Sequence, residues 1–156
     1  MTNIYNLFKF LEDKKGKPIP FKLKLIHAPE TLTKEDLNVE GDLDLHNSPI
    51  SSLPDNLKVW GSLNLENAQI SSLPDNLTVW GYLSLESTEI TSLPDNLTVG
   101  GWLFLRNTPI SSLPNNLKVG ISFDLRDTPL AKKYSEEQIK QMIEEKGGEV
   151  KGAIYT

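Results

Sequence analysis

A 20-residue segment repeats along this chain without insertion: Ile50-Ser51-Ser52-Leu53-Pro54-Asp55-Asn56-Leu57 recurs from Ile70, from Ile90 and from Ile110, with only Thr91 and Asn115 departing from it. A fixed period of this length restricts the fold more than any composition can, because it demands one supersecondary unit stacked on copies of itself. Each copy continues with a valine (Val59, Val79, Val99, Val119) and then an alternating triplet: Leu63-Asn64-Leu65, Leu83-Ser84-Leu85, Leu103-Phe104-Leu105 and Phe123-Asp124-Leu125. Upstream, Leu43-Asp44-Leu45 and Leu23-Lys24-Leu25 fall at the same offset, so the frame predicts six units in register.

Alternation with period 2 over short stretches marks strands, and proline and asparagine punctuate them. A strand is expected at about Tyr82 to Glu86 and at the equivalent place in each copy. Pro54, Pro74, Pro94 and Pro114 offer no ladder N–H and should sit at corners. The Asp-Asn pairs that follow suit tight turns, since asparagine tolerates left-handed backbone. Leu53, Leu57, Val59, Leu63, Leu65 and Ile70 are then the buried set of one rung. A lone rung of this size cannot offset the entropy of ordering its own backbone, so rungs must share burial and hydrogen bonds with their neighbours. The expected fold is mainly β: a parallel β-solenoid about 29 Å long at ~4.8 Å per rung.

Exposed hydrophobic ends of such a stack need caps. Asn3 to Lys14 carries Ile4, Leu7, Phe8 and Leu11 at helical spacing, and Ser135-Glu136-Glu137-Gln138 is a capping box ahead of Ile139, Met142 and Ile143. Gly147-Gly148 ends that helix, and Val150 to Tyr155 reads as a last strand. The expected organisation is a helical cap over 1–20, a solenoid over 21–130 and a helix-strand cap over 131–156.

The chain has no cysteine, which excludes disulfides, thiolate zinc sites and cysteine nucleophiles. It carries no long apolar run and no charged-then-apolar N-terminus, so a cytoplasmic protein without a membrane partner is expected. Residues 41–130 hold 4 basic and 10 acidic side chains, a net of −6, the wrong sign for a phosphate-binding face, so nucleic acid is disfavoured. Lys14, Lys15 and Lys17 read as a solvated loop.

The pattern Leu83-x-Leu85-x-x-Thr88-x-Ile90-x-x-Leu93-Pro94 and its copies resemble the leucine-rich repeats of short bacterial and phage proteins, over roughly residues 21–130. Two positions depart from that family: the asparagine-ladder column holds Ser48, Ala68, Thr88, Thr108 and Thr128, and a leucine position holds Trp60, Trp80, Gly100 and Gly120. A curved horseshoe and a straighter solenoid therefore both stay open. The resemblance implies a non-enzymatic protein-interaction role, such as a phage or prophage accessory or a host-directed inhibitor. The cysteine ligase domain that some bacterial effectors of this kind carry has no counterpart here.

Residues between the buried leucines point outward and align into columns. These are Asp42, Ser62, Tyr82, Trp102, Ser122; then Asp44, Asn64, Ser84, Phe104, Asp124; then His46, Glu66, Glu86, Arg106, Arg126. Unlike the core columns they vary, which makes them the candidate binding face. Tyr82, Trp102 and Phe104, with Arg106 beside them, are residue types enriched at interface hot spots. Trp60 and Trp80 form a second exposed aromatic candidate, flanked by glycines that leave their faces open.

Competing readings are weaker. Asp42, Asp44 and His46 share one strand face and resemble a metal site, but Lys22 and Lys24 are expected on the adjacent strand to pair with the aspartates, so no metal or cofactor is expected. Asp124 between Arg106 and Arg126 has a lyase-like flavour without a supporting site, and no phosphate loop, dinucleotide fingerprint, nucleophile elbow or zinc-protease motif occurs. Asp55, Asp75 and Asp95 form a row too narrow to mimic DNA. The expected function is binding of another protein, identity unread and self-association left open. A glycan or small-ligand binder on the aromatic platform is the alternative, and a polysaccharide lyase-like enzyme the third reading.

Overall fold

Strands two residues long are what the turn chemistry of this sequence permits. Among the described residues, nine other than glycine take left-handed backbone, with φ between 52 and 62: Asn47, Asn67, Ser87, Asn107 and Asp127 in one file, Asn56, Asn76, Asn96 and Asn116 in another. Asparagine and aspartate bear that conformation at little cost, and two such reversals per repeat cut each unit into two short straight pieces. The computed structural model describes residues 4–16 and 18–156, without the side chains of residues 4, 5, 8, 11, 12 and 15. The chain divides after Leu37 into two compact units.

The second unit is a parallel β-solenoid made of two six-stranded sheets. One sheet runs through β1 (Asn38–Val39), β3 (Lys58–Val59), β5 (Thr78–Val79), β7 (Thr98–Val99), β9 (Lys118–Val119) and β11 (Glu149–Val150). The other runs through β2 (Leu43–Asp44), β4 (Leu63–Asn64), β6 (Leu83–Ser84), β8 (Leu103–Phe104), β10 (Phe123–Asp124) and β12 (Ile154–Tyr155). Register follows the 20-residue frame, Val59 against Val79 and Leu63 against Leu83. The ladder extends past each two-residue strand, since Leu85 N–H donates to the Phe104 carbonyl and Ser87 N–H to that of Arg106. Leu53, Leu57, Val59, Leu63, Leu65 and Ile70 are all buried, as are their counterparts in the following copies.

The outermost rungs correct the sequence reading. Leu23-Lys24-Leu25 is not a strand: it lies in helix α2 (Phe21–His27), within the first unit, after α1 (Ile4–Lys15) and ahead of a single 3-10 turn at Pro29–Thr31. The reason is local, because no proline-asparagine turn delivers the chain into that segment and Pro20 sits instead at the helix N-cap. The solenoid thus begins at Asn38 rather than 21. Lys24 pairs with Asp36 at 3.2 Å and lies in a helix rather than on a strand. In α1, Leu7 and Phe10 are exposed, with the Lys14 ammonium 5.3 Å over the Phe10 ring. Asn3 and Lys17, and the side chains of Ile4, Phe8 and Leu11, lie outside the described residues.

At the other end the chain supplies a further rung. Glu149 pairs with Lys118 and Ile154 with Phe123, an offset of 31 residues in place of 20. Helices α3 (Pro129–Lys133) and α4 (Glu136–Glu145) occupy the added length. Thr128 caps α3 by accepting from Ala131 N–H, and the Ser135–Gln138 capping box on α4 makes both of its hydrogen bonds. Leu130, Ile139 and Ile143 are buried and close the end of the core.

In the column of Ser48, Ala68, Thr88, Thr108 and Thr128, threonine acts inside its own turn. Thr88, Thr108 and Thr128 donate their hydroxyls to the carbonyls of Leu85, Leu105 and Leu125 at 2.6–2.7 Å, satisfying buried oxygens without reaching the next rung. Ala68 has no hydroxyl to offer, and the buried Ser48 hydroxyl has no partner among the described residues. None of the described helices is long and apolar enough to cross a membrane.

Candidate functional site

The outward columns of the second sheet normally look after the backbone. In the first column, Asp42 Oδ1 accepts from Ser62 N–H at 2.7 Å, Ser62 Oγ from Tyr82 N–H at 3.2 Å and Ser122 Oγ from Ala153 N–H at 3.2 Å, each bond tying one rung to the next. In the second column, Asp44, Asn64 and Asp124 accept from the backbone N–H two residues on, at His46, Glu66 and Arg126, and so close their own turns. Tyr82 and Trp102 interrupt the first column and Phe104 the second. None of the three side chains carries an oxygen that can reach those donors. Their presence gives up local hydrogen bonds that the same columns make elsewhere.

What they form instead is a continuous aromatic surface. Trp102 and Phe104 stack at 5.4 Å between centroids with planes 7° apart, and the Tyr82 ring meets Phe104 edge-on at 6.1 Å. Tyr155, from β12, stacks on Trp102 at 5.8 Å. Sequence reasoning brought Tyr82, Trp102 and Phe104 together but missed Tyr155, because the 11 extra residues of the cap take it out of the 20-residue frame. The rings are not core: Tyr82 is 40% exposed and Tyr155 39%, whereas Leu83 and Leu103 beneath the same strands are fully buried. They do cover polar neighbours, and Ser84, Ser122 and Asp124 are buried although their register points outward.

Arg106 turns away from the rings to pair with Asp127 at 2.9 Å. Arg126 clamps Asp124, its Nε 2.9 Å from Oδ1 and its Nη2 2.5 Å from Oδ2, while its guanidinium carbon lies 6.0 Å from the Tyr155 ring centre. Burial pushes the Asp124 carboxyl up, but the Arg126 side-chain and backbone hydrogen bonds outweigh it and hold the group below its ordinary value. Glu86 goes the other way. Burial and the negative charges of Glu66 and Asp124 raise it, against a smaller opposing pull from Arg106 and Arg126. Glu66, Glu86, Asn64, Tyr82 and Phe104 border a shallow depression of about 210 Å³ that ends at the Asp124–Arg126 pair.

Trp60 and Trp80 occupy a different place, the corner between the two sheets. They stack face to face, centroids 4.1 Å apart, and stay 53% and 42% exposed. The glycines near them do not hold that shared face open. The tryptophan column ends at Gly100 because the corner closes there: a Cβ on Gly100 would strike the Trp80 carbonyl, and one on Gly120 the Gly100 carbonyl.

His46 Nδ1 lies 2.6 Å from Asp44 Oδ1 on the exposed face, while Asp42 serves the Ser62 N–H, so the three side chains of that strand face are divided between two tasks. Among the described residues no three metal-ligating side chains come together. No protein-family model matches the chain, and no curated protein or solved structure matches it either.

Proposed function

We propose that this chain is a non-enzymatic interaction protein, built from leucine-rich-repeat-like units, that binds another protein through the outward face of the second sheet. The observation that carries the reading is the cluster of Tyr82, Trp102, Phe104 and Tyr155 at positions where polar side chains otherwise bind the backbone. Tyr82 and Tyr155 are exposed and Trp102 and Phe104 half-buried, and aromatic side chains accessible outside the core are the residue class that dominates interface energetics. A phage or prophage accessory, or an inhibitor of a host protein, is one form such binding takes. Affinity capture from a bacterial lysate, comparing wild type with Trp102→Ala/Phe104→Ala, tests the reading. A protein retained by the first and lost by an equally folded second supports it, and identical capture by both overturns it.

A further inference from the structure

Both arginines of the aromatic face are already engaged. Arg126 is committed to Asp124 and Arg106 to Asp127. Glu66 and Glu86 stand on adjacent rungs in one column, and neither carboxylate accepts a hydrogen bond or ion pair among the described residues. They border the depression whose other wall is the Tyr82–Phe104 pair. Two adjacent carboxylates and two ring systems lining one shallow depression bring negative charge and aromatic surface together at a single place.

Resting on the reading of this face as a protein interface, we propose that the depression receives the guanidinium of an arginine carried by an extended segment of the partner, whose neighbouring side chains lie on Trp102 and Tyr155. Arginine fits the two walls at once, because its planar fork pairs with carboxylates while its face stacks on aromatic rings. Size favours a single side chain, since about 210 Å³ is below the ~300–1,000 Å³ usual for small-molecule pockets. The repeats' net charge of −6, from 4 basic and 10 acidic side chains, favours a basic partner segment over an acidic one. Burial, and after it the like charges of Glu66 and Asp124, raise Glu86 in the free protein, and an entering cation relieves the repulsive part.

The test uses short peptides bearing one arginine, one lysine or one citrulline at the same place, titrated into the intact chain while the Tyr82 and Phe104 ring resonances are followed by NMR. The arginine peptide is expected to shift both rings saturably, with affinity that falls as salt rises. Citrulline, which keeps the shape and loses the charge, is expected to bind at least about tenfold more weakly, with lysine between the two. Glu66→Gln/Glu86→Gln is expected to lose arginine binding by a similar factor while melting no lower than wild type, because it removes a repulsion. Equal binding of arginine and citrulline peptides overturns the proposal, as does unchanged affinity in the double glutamine variant. Ring shifts produced by neutral oligosaccharides but by none of the peptides also overturn it and make the depression a sugar site. If a captured partner is lost with Trp102→Ala/Phe104→Ala but kept with Glu66→Gln/Glu86→Gln, the arginine pocket falls and the protein interface stands.

Discussion

Asp124 and Arg126, two residues apart on the final full repeat, form a bidentate pair in which the carboxylate is buried and the guanidinium is half exposed. That asymmetry makes the two partners unequal. Removing the arginine strands a buried charge, whereas removing the acid leaves a cation that water can solvate.

Arg126→Ala is therefore expected to cost about 1–3 kcal/mol near neutral pH, and Asp124→Asn clearly less, by chemical denaturation. The pH dependence follows from the depressed Asp124 pKa. The stabilisation is fully present above the ordinary value of 3.8 and is lost as pH falls through the lower folded-state value. Wild type should show this acid loss, and Arg126→Ala should lack it. Equal costs for the two variants would mean that the carboxylate is solvated.

Inside and outside are separated by a single residue at Tyr82 and Leu83. Leu83→Ala should cost about 2–5 kcal/mol through the cavity it leaves. Tyr82→Ala should cost about 0.5–1.5 kcal/mol, the worth of its edge-on contact with Phe104. Comparable losses at both positions would reverse the assigned register.

The threonine column makes a graded prediction. Thr108→Val strips the Leu105 carbonyl of its buried donor and should cost about 1–3 kcal/mol. Ser48→Ala removes a hydroxyl that has no partner and should be neutral or stabilising. Melting curves of the two variants settle the order.

At the corner, Gly100→Ala should destabilise by about 1–3 kcal/mol, because the added methyl meets backbone rather than a movable side chain. Unchanged stability would show that the rungs are more widely spaced there.

The solenoid's interior was legible because one leucine code is repeated at constant spacing, and the Asp-Asn turns announced the file at Asn56, Asn76, Asn96 and Asn116. The second left-handed file, at Asn47 through Asp127, was missed because its members vary in type, Ser87 among them. Leu23-Lys24-Leu25 misled because two leucines flanking a lysine fit a helical turn as well as a strand. The Phe21–Leu25 spacing of four residues was the available counter-signal. Val150 and Ile154 repeat the four-residue spacing of Val119 and Phe123, so the last rung was also written in the sequence, displaced by the cap helices. Tyr155 followed that displacement out of view. Asp124 stood beside both arginines in the sequence, but that Arg126 takes it and Arg106 takes Asp127 was not legible, since which carboxylate a long side chain reaches depends on the packed surface around it.

The most direct test of the interface is the binding of Trp102→Ala/Phe104→Ala set beside that of Asp55→Asn/Asp75→Asn/Asp95→Asn, with each variant's melting temperature measured alongside. Partner capture is expected to vanish in the aromatic variant and persist in the aspartate variant, with the aspartate variant melting close to wild type and the aromatic variant melting lower but cooperatively, because its rings lose their stacking contacts while the buried rung stays intact. An aromatic variant that still binds while the aspartate variant does not would contradict the account, and so would collapse of the fold when the two rings are removed.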